Sequence, residues 1–301
     1  MPRQGVVLAR RGSSYSVSTS QGLVDAVLRG KVKHQDKERI VVGDRVQLDR
    51  VDEHGSAGIT GAEPRRNALE RRSMNGRTAR PVAANLDRVL VTASVAQPKP
   101  NLGLIDRLLA IAEANEIPAG LVITKIDLMT HADLAVRFKS AGYPIWPVSI
   151  KTGEGIPEFV AALKDQVTLL TGPSGVGKSS LLNKVQPGLS LRTAEISAKI
   201  ERGKNTTVHA EMVPLDGGGF LVDTPGFSDV GLWGIEPREV ARCFPEMRPF
   251  LNRCKFADCH HMTEPGCAVR TAVEQGIVPG DRYESYQSLF NELSDTPKHW
   301  E

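Results

Sequence analysis

The sequence predicts a multidomain chain in three parts: an amino-terminal β-barrel, an α/β domain on a mainly parallel sheet, and a mainly helical carboxy-terminal region around a cysteine cluster. Three observations predict it. The first sixty residues hold five short strand-like stretches and no convincing helical periodicity. From residue 85, strand-like and helix-like stretches alternate. After about residue 233 the strand signal stops, and three of the four cysteines fall within residues 254–267. A length of 301 residues fits two or three domains, and 40% apolar with 24% charged residues is ordinary folded-protein composition. No run of about 18 apolar residues exists, so no membrane-spanning helix is expected. The start, MPRQGVVLARRGSSYS, lacks the apolar stretch of a secretory signal. Cysteines clustered rather than dispersed suit a metal in a reducing compartment, so the expected location is cytoplasmic.

QGVVLAR, SYSVSTS, GLVDAVLRG, VVGDRVQL and SAGITGA are β-rich and punctuated by Gly, Ser and Asp. Five short strands in residues 1–62 suggest an OB-fold, the commonest barrel of that size. Residues 1–80 carry sixteen Lys/Arg against nine Asp/Glu, and the remainder twenty-two against twenty-six. A basic front on a near-neutral body points to an anionic polymer, RNA above all. Residues 63–84 begin EPRRNALERRSMNGRTAR, with six arginines and almost no apolar periodicity, and are expected to form a basic linker open to phosphate contact.

Residues 85–233 form the α/β domain. DRVLVTASV, AGLVIT, YPIWPVS, QVTLLTG, VHAEMVPL and GGFLVDTPG read as strands; LGLIDRLLAIAEANE, HADLAVRFKSAG, IPEFVAAL and KSSLLNKV read as helices. Between a strand and a helix stands Gly172-Pro173-Ser174-Gly175-Val176-Gly177-Lys178-Ser179, followed by Ser180, a complete G-x-x-x-x-G-K-S phosphate loop. Its backbone N–H groups would cradle phosphates, Lys178 would reach the β/γ oxygens, and the Ser179 hydroxyl would hold Mg²⁺. Thr124-Lys125-Ile126-Asp127 resembles the N/T-K-x-D sequence of GTPases, in which the carboxylate pairs with guanine N1–H and its 2-amino group. Ser149-Ile150-Lys151-Thr152-Gly153 resembles the S-A-K loop that contacts guanine O6. Asp223-Thr224-Pro225-Gly226 ends a strand, so Asp223 can serve Mg²⁺ through water and the Gly226 N–H can sense the γ-phosphate. The loop Arg202–Thr207 offers Thr207, with Thr206 in reserve, as a further metal ligand. GTP and GDP are thus the expected nucleotides. The rival readings are a P-loop ATPase or kinase with an accidental TKID and a non-catalytic RNA-binding module whose nucleotide site is vestigial.

The motif order is permuted, because the guanine-reading pair precedes the phosphate loop. A barrel, a permuted GTPase domain and a carboxy-terminal Cys/His cluster together resemble the RsgA (YjeQ) family, the small-ribosomal-subunit-dependent GTPases of bacteria. The resemblance covers essentially the whole chain. It implies GTP hydrolysis in late small-subunit maturation, with rRNA contact and release after hydrolysis. Cys254-x₄-Cys259-x-His261-x₅-Cys267 supplies three thiolates and an imidazole for one structural zinc in residues 234–301. His260 is the alternative to His261, and the family spacing favours His261. Cys243 lies outside the set and reads as a buried thiol.

The sequence also departs from the common pattern. Phe227 stands where many GTPases place a water-orienting glutamine, so slow intrinsic hydrolysis is expected. Relatives carry a histidine before the switch threonines, and this chain has Asn205, which can orient water but not take its proton. Because DTPG leads directly into the zinc region, loss of the γ-phosphate is expected to reorient residues 234–301. No signal for oligomerisation is visible, so a monomer is expected.

Overall fold

The computed structural model describes residues 3–29, 40–49, 56–72, 79–188, 210–223 and 235–295. Strands β1 (Arg3–Arg11), β2 (Ser14–Thr19), β3 (Gly22–Leu28), β4 (Arg45–Leu48) and β5 (Ser56–Ala62) pair in the order β1-β2-β3-β5-β4, and β4 returns to β1 to close a barrel. The period-two signal is plainest in β4, where Val46 and Leu48 are buried and Arg45 and Gln47 exposed. Val7, Tyr15, Val17, Ala26 and Ile59 complete the barrel core.

Residues 63–72 and 79–84 are not the open linker expected from their charge. Strands β6 (Ala68–Arg72) and β7 (Ala79–Ala84) pair antiparallel, and Leu69 and Ala83 are fully buried against the α/β domain. Arg65 makes a two-pronged contact with the buried Asp44 (Nε–Oδ1 2.7 Å, Nη2–Oδ2 2.9 Å), while Asp44 also accepts the Val41 N–H at 2.8 Å. Arg66 pairs with Asp87 at 2.6 Å, and Val42 bridges Ala83. These two arginines hold the barrel to the next domain, a use that a count of charges does not reveal.

The second domain contributes β8 (Arg88–Ser94), β9 (Ala119–Thr124), β10 (Ile145–Val148), β11 (Val167–Thr171), β12 (Glu211–Pro214) and β13 (Phe220–Asp223), ordered β10-β9-β8-β11-β13-β12. All run parallel except β12. The chain therefore enters this sheet in its interior, and β11, fourth of the six in sequence, stands between β8 and β13. The first half of β1 pairs with β4, while Ala9 further along pairs with Glu211 of β12. The barrel and the parallel sheet are consequently one continuous eleven-stranded sheet.

Alternation sorts the side chains onto two faces. Val89, Val91, Ala93, Leu169 and Val222 join a cluster covered by α1 (Leu102–Ala114) and α2 (Ala132–Ser140). Leu90, Val122, Leu170 and Leu221 join another beneath α3 (Ile156–Leu163) and α4 (Lys178–Val185). Helix α1 starts where the Asn101 side chain accepts the Leu104 N–H at 3.0 Å.

The carboxy-terminal region has two 3₁₀ segments, Pro237–Cys243 and Pro245–Phe250, then α5 (Ala268–Glu274) and α6 (Gly280–Asp295). Val240, Phe244, Met247, Tyr286 and Leu289 belong to the same apolar cluster as Leu108 and Ile111 of α1. Beside it lies a buried ionic group. Asp106 accepts Arg282 Nη1 at 2.6 Å and Arg137 Nη2 at 2.5 Å, and Arg282 Nε reaches Glu246 at 2.6 Å. Among the described residues no helix is long and apolar enough to cross a membrane.

Candidate functional site

The phosphate loop spans the gap between the end of β11 at Thr171 and Lys178, the first residue of α4. Gly172 has φ +142°, and a Cβ there would lie 2.3 Å from the Thr92 carbonyl oxygen, so only glycine lets the loop pass so close to β8. Gly177, at φ +99°, turns the chain into the helix. Val176 is buried, anchoring the loop, while Ser174, Gly175, Ser179 and Ser180 are exposed along its rim. Lys178 Nζ donates to the Gly172 and Pro173 carbonyl oxygens at 2.5 and 2.8 Å. Burial lowers the pKa of Lys178, and the carboxylate of Asp223 opposes that shift. An ammonium folded over its own loop in this way is available to phosphate oxygens entering from solvent.

TKID and SIKTG meet this loop from the neighbouring strands. Thr124, the last residue of β9, donates its hydroxyl to the Val176 carbonyl oxygen at 2.6 Å. Lys125 has φ +60°, rare for a residue with a side chain, and its Nζ donates to the Gly175 carbonyl at 2.9 Å and to the Gln97 carbonyl. Ile126 packs against the α1-side core. The fully buried Ser149 donates its hydroxyl to Asp127 Oδ1 at 2.7 Å and accepts the Thr152 N–H at 3.1 Å. One Asp127 oxygen is thereby fixed and the carboxylate is oriented. Ile150 Cδ1 lies 3.8 Å from where a Gly177 Cβ would stand, and Lys151 is exposed at the tip. Three segments separated in sequence thus converge on one end of the sheet.

Asp223 ends β13, the parallel neighbour of β11, at the same end of the sheet as this loop. Directly opposite it in register stands Glu211 of β12, only 7% exposed, which the sequence reading passed over. Burial pushes the Glu211 carboxyl up to about 7, with Arg11 opposing and Asp223 adding to the shift. A single Glu opening a strand carries no sequence signal, since only the register puts it beside Asp223. The Gln97 carbonyl was passed over for the same reason. Asn205, Thr206, Thr207, Gly226 and Phe227 lie outside the described residues.

A second site is built by the carboxy-terminal region. The sulfurs of Cys254, Cys259 and Cys267 and a ring nitrogen of His261 lie within 4.8 Å of one another. Three sulfurs and one nitrogen around a single point are a donor set suited to one tetrahedral ion. Backbone N–H groups of Ala268, His261 and Arg270 point at the sulfurs of Cys254, Cys259 and Cys267 at 3.4, 3.4 and 3.5 Å, favouring thiolates. His261 sits at φ +59°, with its carbonyl bound by the Tyr283 hydroxyl at 2.5 Å, and the Tyr286 hydroxyl donates to the His260 carbonyl. The ring of His260 instead packs on Phe290. Burial raises the carboxyl pKa of Glu264, but the N–H groups of Glu264, His260, Met262 and Thr263 outweigh it and lower the pKa to about 2. Cys243 is buried apart from the cluster, its Sγ 3.6 Å from the Glu239 carbonyl, and burial with Glu113 nearby pushes its thiol up to about 12.

Over nearly its whole length the chain is similar to known proteins. A family model described as RsgA GTPase matches residues 62–233. A small ribosomal subunit biogenesis GTPase RsgA from Gemmatimonas aurantiaca is 48% identical over 297 residues, covering 96% of this chain and 97% of the relative. One of the same name from Moorella thermoacetica is 40% identical over 292 residues, covering 96% and 97%. The crystal structure of YjeQ from Thermotoga maritima superposes with a TM-score of 0.81 at 36% identity, covering 99% of this chain and 100% of that one. YloQ, described as a circularly permuted GTPase, gives 0.78 at 27% identity, covering 100% and 98%.

Proposed function

The chain belongs to the RsgA GTPase family, and from that premise we propose how its residues hydrolyse GTP in the biogenesis of the small ribosomal subunit. The observation that carries the reading is the convergence of the two guanine-reading segments at the phosphate loop, the first through Thr124 to Val176 and Lys125 to Gly175, the second through Ser149 to Asp127. Asp127, steadied by Ser149, selects guanine by accepting from N1–H and the 2-amino group. Lys125 lies along the base, and the 149–151 loop contacts O6. The N–H groups of residues 173–179 hold the α- and β-phosphates, while Lys178 exchanges its two carbonyl partners for β/γ oxygens.

Ser179 and Asp223 would hold Mg²⁺, with Thr207 as the proposed switch ligand; when bound, the ion neutralises charge developing between the β- and γ-phosphates. Gly226 is proposed to sense the γ-phosphate, and Asn205 to orient the attacking water. Phe227 cannot orient that water, so unstimulated turnover is slow and the missing group is brought into place by the subunit. Cys254, Cys259, His261 and Cys267 would hold one structural zinc, which fixes the loop and leaves no position open for chemistry. The basic barrel contacts rRNA through its phosphates, and release follows hydrolysis. The protein acts as a cytoplasmic monomer.

The test is GTP turnover by the purified protein with and without small ribosomal subunits, using Lys178→Ala as the blank. Strong stimulation by small subunits is expected, falling steeply as salt rises. Turnover that ignores subunits would sink the assignment of the partner.

A further inference from the structure

We infer that the loop following β8, residues 95–100, is a third wall of the nucleotide site, and that Ser94 is the residue that positions it. The inference rests on the GTPase reading and adds a part to it. Three contacts carry it. Ser94, the buried last residue of β8, donates its hydroxyl to the Pro98 carbonyl at 2.7 Å, folding the loop back over the strand end. That fold presents the Gln97 carbonyl to Lys125, whose Nζ bridges Gln97 and Gly175. Pro98 also reaches the phosphate loop directly, its Cδ lying 3.6 Å from where a Gly175 Cβ would stand.

The geometry explains how Lys125 keeps its backbone at φ +60°: its ammonium is held by two carbonyls, one on the loop after β8 and one on the phosphate loop. Gln97 itself sits at φ +53°, so two left-handed residues face each other across a single hydrogen bond. Without the Ser94 hydroxyl, the Pro98 carbonyl loses its donor and the Gln97 carbonyl is free to swing away. Lys125 would then hold only Gly175, and the plane on which the base rests would loosen. Ser94 is a positioning residue. It acts through the loop and Lys125.

The experiment is titration of Ser94→Ala with a fluorescent GDP, together with steady-state turnover under small-subunit stimulation. The expected result is a rise in Kd for GDP and KM for GTP of about fivefold, the effect of one net hydrogen bond, with kcat within twofold of wild type. Hydrogen exchange on the unaltered protein provides the second readout. Amides of residues 95–100 are expected to become protected on GDP binding together with those of 172–178. A Kd within twofold of wild type, or a lowered melting temperature with Kd unchanged, would overturn the inference. So would protection of 172–178 with none at 95–100, which decides the matter even if the variant does not fold. Failure of the wild type to bind GDP at all would instead remove the GTPase reading, and this inference with it.

Discussion

At the scale of single residues, the site depends on side chains whose partners are fixed before any ligand arrives. Asp127 is held by the Ser149 hydroxyl, so its orientation costs nothing further when guanine binds. Asp127→Asn keeps an acceptor for Ser149 but places an amide donor against the base donors. GDP affinity should fall at least about 100-fold, because two charge-assisted hydrogen bonds are lost. Measured by titration, the selectivity for GDP over ADP should vanish while the melting temperature stays within a few degrees. Equal affinity for GDP before and after the change would refute the role given to Asp127. The residues of TKID and SIKTG were legible because their chemistry follows from residue type at fixed spacing. Ser94 and Glu211 were not: the serine meets the Pro98 carbonyl only through the fold of its loop, and the glutamate stands beside Asp223 only through strand register.

At the scale of elements, helices and strands were read nearly as they fold: AGLVIT is β9 and KSSLLNKV is α4. The failure came at residues 63–84, where charge density concealed the short hairpin β6–β7. Among the described residues Leu69, Val82, Ala83 and Ala84 mark its buried side. How elements dock was also hidden, as the ionic group at α1 shows. Arg282 is 1% exposed between Asp106 and Glu246, and its guanidinium lies 4.6 Å from the Phe244 ring centre. Arg282→Met should destabilise the protein by about 3–5 kcal/mol, because it leaves two carboxylates buried without that partner. Arg107→Ala, which breaks the more exposed pair with Glu292, should cost less than about 1 kcal/mol beyond any lost packing. Denaturant unfolding of the two variants side by side distinguishes these costs, and equal effects would contradict the ranking.

At the scale of the whole molecule, permuted motif order was visible in the sequence, but the fusion of barrel and parallel sheet was not. That fusion passes through the pairing of Ala9 with Glu211, a long-range contact that no local pattern announces. The shared core of α1 with residues 235–295 bears on the expected reorientation of residues 234–301. Val240, Phe244 and Tyr286 would have to leave Leu108 and Ile111 for that region to swing as a body. Zinc removal by a chelator should therefore be felt beyond the loop. Hydrogen exchange should quicken at α1 amides around Leu108–Ala112 as well as at residues 254–267, and an effect confined to the loop would argue for an independent body. The sheet has one more consequence. One end of its strand order closes on itself as the barrel, and the four-residue β10 stands at the other end. The Leu121 N–H donates to the Pro144 carbonyl, so by alternation Trp146 and Val148 face β9 and Pro147 faces outward. A strand from a second copy would meet the Ile145 N–H but no donor at Pro147, so a ladder added at this edge is interrupted at its second outward position.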